Sequence, residues 1–192
     1  MSLTITPEQV NALPIGRYEG EVCLVERPEH LERAAADLLQ ESVVGFDTET
    51  RPAFKVGQSY PPALAQFAGA RAVYLFALQR VDCSAVLREL LSSERIVKAG
   101  VGLADDLRAL SKSFEAKPKS LVDLSTVAKR HGVKKTGVRT LAALYLGFRI
   151  PKGTKTSNWA APRLSAQQVT YAATDAWACR ELYLRFRELG LL

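Results

Sequence analysis

Residues 43–50 read Val43-Val44-Gly45-Phe46-Asp47-Thr48-Glu49-Thr50, a run that begins apolar and ends polar. An apolar start suits a central strand covered on both faces. Side chains two apart on a strand share a face, so Asp47 and Glu49 project side by side with Cβ atoms roughly 6–7 Å apart. Two like charges at that spacing repel, and a divalent cation between them lets both stay ionised. Hard oxygen donors suit Mg²⁺ or Mn²⁺ better than zinc. A solvated strand end would account for the same triplet without any chemistry, so the rest of the chain has to decide.

On the N-terminal side, residues 1–19 hold Pro7, Pro14 and Gly16 and read as an irregular leader. Gly20–Glu26 alternates as a short strand, and Pro28 opens a helix to Glu41 with Leu31, Ala34, Ala35, Leu38 and Leu39 at helical spacing. On the C-terminal side, a Pro/Gly-rich loop leads to Ala63–Gly69 and Arg71–Ala77, an antiparallel hairpin. A helix over Asp82–Leu91, a strand over Arg95–Ala99 and a helix from Leu103 to about Ser111 follow. Ser120–Leu124 is a further strand, with Asp123 placed to cap a helix over Leu124–His131. Val138–Leu146 is helical, with Gly147 just past its end. A basic, irregular loop, Pro151–Pro162, precedes a long helix, Ser165–Leu189, which a capping box from Ser165 to Gln167-Gln168 would start. This order describes an α/β chain with a mixed sheet and helices on both faces. It lacks G-x-x-x-x-G-K-[ST] and G-x-G-x-x-G, which disfavours the phosphate-loop and dinucleotide folds.

Two more carboxylate motifs lie on helices. Tyr171 and Asp175 are four apart, so phenol and carboxylate share a helix face, among the small residues Ala172, Ala173 and Ala176 that permit close approach. Asp105 and Asp106 fall in the first turn of the helix after Gly100-Val101-Gly102, where the helix dipole favours anions and is itself a sufficient structural reason for them. The order is more specific than any one motif: D-x-E on an early strand, an Asp opening a mid-chain helix, then Y-x-x-x-D on the last helix.

Composition bounds the remainder. The chain has 192 residues, 47% hydrophobic and 24% charged, which fits a single domain and excludes a disordered tail or a fibre. A net charge of +6 fits a polyanionic partner. Three cysteines, Cys23, Cys83 and Cys179, lie far apart with no C-x-x-C pair, which argues against a disulfide framework or a Cys-based zinc site and for a reducing, intracellular setting, cytoplasmic in a bacterium. No stretch approaches the ~20 apolar residues of a membrane span, and the N-terminus does not read as a signal peptide.

The ordered motifs resemble those of the DEDD superfamily of 3′–5′ exonucleases, in its tyrosine-bearing subgroup near ribonuclease D and the Werner-syndrome exonuclease domain. The resemblance runs from about Gly20 to Leu189. It includes Ser157-Asn158-Trp159, Leu164, the Tyr171–Ala176 run, and Gly102-Leu103-Ala104-Asp105-Asp106, in which the motif's carboxylate falls at Asp106. It implies a ribonuclease-H-like fold with about five strands, and a single exonuclease domain over residues 20–192. Asp47, Glu49, Asp106 and Asp175 would hold two divalent ions, Mg²⁺ or Mn²⁺, and Tyr171 would complete the catalytic set by orienting water, since a phenol with an ordinary pKa near 10 is a poor base at neutral pH. The histidine subgroup has His in that place; His30 and His131 both lie outside the motif. Larger relatives carry helicase or helical accessory segments, so targeting or processivity is expected from a protein partner.

The expected partner is a DNA or RNA 3′ end, preferably single-stranded. Thr48, Leu103, Lys155 and Trp159 are the candidate contacts. Lys134, Lys135, Arg139, Lys152 and Arg163 stand near the last motifs and could track phosphates or simply be solvated. Trp159 could stack on a base or pack beneath its loop, and the resemblance favours packing beside the site. Gln66, a polar residue in an apolar strand, is expected to be satisfied internally. Two other readings remain: an inactive nucleic-acid-binding domain, and a small-nucleotide phosphodiesterase on the same fold.

Overall fold

The computed structural model describes residues 3–55, 57–152 and 157–192. The leader contains a short helix, α1 (Pro7–Ala12), where an irregular segment is expected from its prolines. Pro7 takes the first helical position, where a missing N–H costs nothing, and Thr6 forms a capping box with Gln9. β1 (Glu21–Val25) and α2 (Pro28–Leu38) follow, then β2 (Val43–Thr50), β3 (Pro62–Ala68) and β4 (Ala72–Ala77). After them come α3 (Ser84–Ser92), β5 (Val97–Gly100), α4 (Ala104–Phe114), β6 (Leu121–Asp123) and α5 (Leu124–Arg130). Asp123 caps α5 by accepting from the backbone N–H groups of Ser125 and Thr126, as its position predicts. The segment expected as one helix over 138–146 is an α-turn, α6 (Val138–Leu141), continued by a wider π-turn over Ala142–Leu146. It stops at Gly147, whose φ of 73° is left-handed. The last helix, α7 (Ala166–Glu188), starts from a capping box between Ser165 and Gln168.

Six strands form one sheet in the order β1-β4-β3-β2-β5-β6. The count matches the strands read from the residues and exceeds by one the five that the resemblance implies. β3 is antiparallel to both of its neighbours, β2 and β4, and the other pairings are parallel, so β3 alone runs against the rest. Helices cover both faces. Val44, Phe46, Phe67 and Phe76 pack with Leu38 of α2, Leu87 of α3 and Leu110 of α4 on one side. On the other side Val43 and Ala99 meet Leu124 of α5 and Leu182 and Phe186 of α7, while Leu64 and Leu75 meet Ala172, Ala173 and Ala176 of α7. Every residue of β3 and β4 is buried, as strands sandwiched between helices require. Among the described residues no helix is long and apolar enough to cross a membrane.

Candidate active site

Strand alternation and helix approach together build the site. Gly45 faces α7: a Cβ there would lie 1.9 Å from the carbonyl oxygen of Ala176 and 2.6 Å from the amide nitrogen of Arg180. Glycine at 45 and alanines at 172, 173 and 176 therefore let α7 lie directly on β2. Asp47 and Glu49 continue the Gly45 face, and Asp175 comes down onto them from α7. One carboxylate oxygen each from Asp47, Glu49 and Asp175 lies within 4.8 Å of the others. Asp175 is only 4% exposed, so its charge lies at the floor of a cleft.

Tyr171 stands one turn before Asp175 and lines the same cleft. Burial pushes its phenol well above the usual range, and the charges of Asp175, Glu49 and Asp47, with a hydrogen bond to Asp175, push the same way. Without a cation beside it, the group is a neutral O–H that donates. Its ring is held by Trp159, with centroids 6.0 Å apart.

Asp106 reaches the cleft from the other face of the sheet. Thr48 points away from α7, and its hydroxyl donates to Asp106 Oδ1 at 2.6 Å, while the Thr48 amide donates to Asp47 Oδ1 at 2.9 Å. One residue thus ties the carboxylates of both faces together. Burial raises the Asp106 pKa, the Thr48 hydroxyl opposes that shift, and the Asp105 charge adds to it. Asp106 lies outside the tight group of Asp47, Glu49 and Asp175, though all four line one cleft of about 750 Å³. Asp105 is surface-exposed and pairs with Arg108 at 3.0 Å, which separates the two adjacent acids as the motif resemblance does.

The expected substrate contacts divide. Arg139 and Lys152 line the cleft, and Arg139 Nε is anchored by donating to the Ile150 carbonyl at 3.0 Å. Lys134, Lys135 and Arg163 are exposed and do not line it. Lys155 falls outside the described residues. Thr48 lines the cleft, but its hydroxyl is engaged by Asp106. Leu103 is 3% exposed and packs in the core beside Leu107, which places it behind the cleft wall rather than in it. Trp159 is buried among Leu64, Ala172 and Tyr171, so of its two readings the packing one holds. Gln66 lies directly across from Asp47 in the β2–β3 pairing. Its side chain is fully buried, and neither amide atom meets a partner among the described residues, contrary to expectation. No motif in the sequence points to Arg17, which lines a pocket adjoining Tyr171 and Lys152. It comes from the leader, and only the tertiary fold brings it there.

A model of the 3′–5′ exonuclease domain matches residues 22–190. The chain is 34% identical over 154 residues to the mouse bifunctional 3′–5′ exonuclease/ATP-dependent helicase WRN, covering 77% of this chain and 11% of that protein. It is 30% identical over 167 residues to ribonuclease D of Acidiphilium cryptum, covering 85% of this chain and 42% of that one. The chain thus spans well under two thirds of both relatives. In fold it is similar to the Nibbler EXO domain of Aedes aegypti, with a TM-score of 0.80 at 22% identity and 93% of each chain covered.

Proposed function

We propose, from the premise that this chain belongs to the 3′–5′ exonuclease family, that residues 20–192 form one catalytic domain that shortens single-stranded nucleic acid from its 3′ end. The observation that carries this reading is the meeting of Asp47 and Glu49 with Asp175 and Tyr171 at one cleft. The family depends on divalent metal, and an all-oxygen donor set on this floor fits Mg²⁺ or Mn²⁺. Asp47, Glu49 and Asp175 would hold one ion, and Asp106, with Asp47, a second. When bound, such ions supply charge neutralisation at the phosphate and acidify water.

The chain's own groups do the rest. The phenol of Tyr171, one helical turn before Asp175, orients the attacking water. Arg139 and Lys152 stand at the cleft wall where a phosphodiester would bring its charge. The water oxygen forms a bond to phosphorus, the bond from phosphorus to the 3′ oxygen of the preceding nucleotide breaks, and that oxygen leaves with a proton. The products are a nucleoside 5′-monophosphate and a strand shorter by one nucleotide with a new 3′-hydroxyl. Thr48 acts as a positioning residue by steering Asp106. The three cysteines are free thiols, which supports an intracellular, reducing setting, and a protein partner would supply targeting or processivity.

The test is cleavage of 5′-labelled single-stranded DNA and RNA with Mg²⁺, Mn²⁺ or EDTA, beside Asp47→Ala. The expected result is a metal-dependent ladder growing from the 3′ end, absent in the variant, and its rates rank DNA against RNA. Folded protein that cleaves nothing with metal present would refute the reading. Equal rates on blunt duplex and single strands would remove the single-strand preference.

A further inference from the structure

A second pocket, of about 340 Å³, lies against the catalytic cleft and shares Tyr171 and Lys152 with it. Its far wall is Arg17. The rest of its polar lining is Gln167, Thr170, Tyr171 and Thr174 of α7, so it offers two cations and neutral hydrogen-bonding groups with no carboxylate. No ion pair among the described residues uses Arg17 or Lys152.

Arg17 does not hang loosely there. The leader is laced to the body on both sides of it. Gly16 N–H donates to the Arg149 carbonyl at 3.0 Å, and Arg149 N–H donates back to the Pro14 carbonyl at 2.8 Å. One residue beyond, Tyr18 N–H donates to Thr174 Oγ1 of α7 at 3.1 Å. Gly16 also lies flat on Phe148, where a Cβ would come within 2.1 Å of the ring, and Phe148 stacks on Trp177 with centroids 5.3 Å apart. The segment up to residue 21, which the family match leaves uncovered, is thereby built into the wall of the site.

We propose that this pocket binds the strand upstream of the scissile bond, with Arg17 as a substrate-positioning residue that holds a phosphate of the leaving strand. The inference rests on the exonuclease reading. The catalytic cleft needs the terminal nucleotide and its phosphate. A polynucleotide continues beyond them, and Tyr171 and Lys152 form the shared sill across which it passes into the pocket of Arg17. The backbone on either side of Arg17 is held in place, and its guanidinium matches phosphate geometry and is always charged. The leader is then part of the substrate channel.

Two substrates separate the pockets. In the p-nitrophenyl ester of thymidine 5′-monophosphate, p-nitrophenol stands where the upstream strand would leave, so it has no phosphate for Arg17. A decanucleotide has several. For Arg17→Gln, the rise in KM on the decanucleotide exceeds that on the ester by about tenfold, with kcat little changed, the size expected for losing one charged hydrogen-bonding contact. Arg17→Glu shows a larger gap and Arg17→Lys recovers part of it. Binding of the decanucleotide in EDTA loses about 0.7 from its log–log salt slope in Arg17→Gln. Equal losses on both substrates, or none on the decanucleotide while the wild type is active, would overturn the proposal and leave the exonuclease reading standing. A folded wild type that turns over neither substrate would overturn both.

Discussion

On one face of β2, Asp47 and Glu49 meet Asp175 with oxygens within 4.8 Å; on the other, Thr48 meets Asp106 through a single 2.6 Å hydrogen bond. The difference follows from what carries the groups that β2 does not supply. Asp175 and Tyr171 sit inside a 23-residue helix whose alanines press on Gly45 and the sheet, so their place is fixed by core packing. Asp106 sits half-buried in the first turn of α4, and one hydroxyl steers it. Three carboxylates are thus preassembled, while the fourth is tethered, which is the arrangement expected if the first ion site is built into the fold and the second forms as substrate arrives.

The largest effects should come from the preassembled face. Asp47→Asn and Asp175→Asn each lower kcat on the order of 10³-fold or more in a labelled-strand assay. In wild type, Mg²⁺ or Mn²⁺ at a hundredfold excess over its dissociation constant stabilises the fold by about 2.7 kcal/mol, seen as a rise in Tm. The Asp175→Asn protein loses that rise. A metal-induced rise of unchanged size would break the comparison at its first term.

Gly45→Ala attacks the same face through packing. A methyl 1.9 Å from a backbone oxygen cannot be accommodated by a side-chain rotation, so α7 must shift off β2. The expected cost is about 2–3 kcal/mol by chemical denaturation, with a fall in activity beyond what the unfolded fraction explains, since Asp175 moves with the helix. Undiminished activity would mean that the close approach is not what places Asp175.

This face was legible in the sequence because strand and helix periodicities alone put Asp47 beside Glu49 and Tyr171 beside Asp175. The alanines around Asp175 further signalled close approach. The α4 side was only partly legible. The motif resemblance selects Asp106 over Asp105, but the bond from Thr48 joins residues 58 positions apart and has no local pattern. Arg17 was invisible for the same reason: an irregular-looking leader gives no hint that it pairs with Arg149 and Thr174. Composition alone left Trp159 as two alternatives, because an aromatic in a basic loop has the same sequence signature whether it packs or stacks, and only the motif resemblance favoured packing. The helix Pro7–Ala12 was hidden by the prolines of the leader, although Thr6 and Gln9 carry the capping-box signal.

Thr48→Val tests the tethered face. It removes the hydroxyl and keeps the shape, so stability falls by about 1 kcal/mol or less, while kcat drops about tenfold as Asp106 loses its guide. Thr48→Ser restores most of the rate. A Val variant with full activity would show that Asp106 needs no steering.

The smallest effect concerns how dry the α4 face is. Lys98 of β5 pairs across from Val44, is fully buried, and donates to the Ser93 carbonyl at 2.7 Å. Desolvation pulls its pKa down to about 8 from the usual 10.5. Because the folded value is the lower one, the burial penalty is fully present below about pH 8 and is relieved as pH rises towards 10.5. Lys98→Met should therefore gain about 1 kcal/mol at neutral pH after the lost hydrogen bond is counted, with the gain shrinking across that window. A gain that is constant with pH would mean that the lysine is not desolvated.

The most direct test of the difference between the two faces is titration of Mn²⁺ into the wild type, Asp106→Asn and Asp175→Asn, without nucleic acid, followed by calorimetry or by the resonance of the free ion. The tighter site should persist in Asp106→Asn and disappear in Asp175→Asn. Loss of that site in Asp106→Asn, or its survival in Asp175→Asn, would contradict a metal site preassembled between β2 and α7.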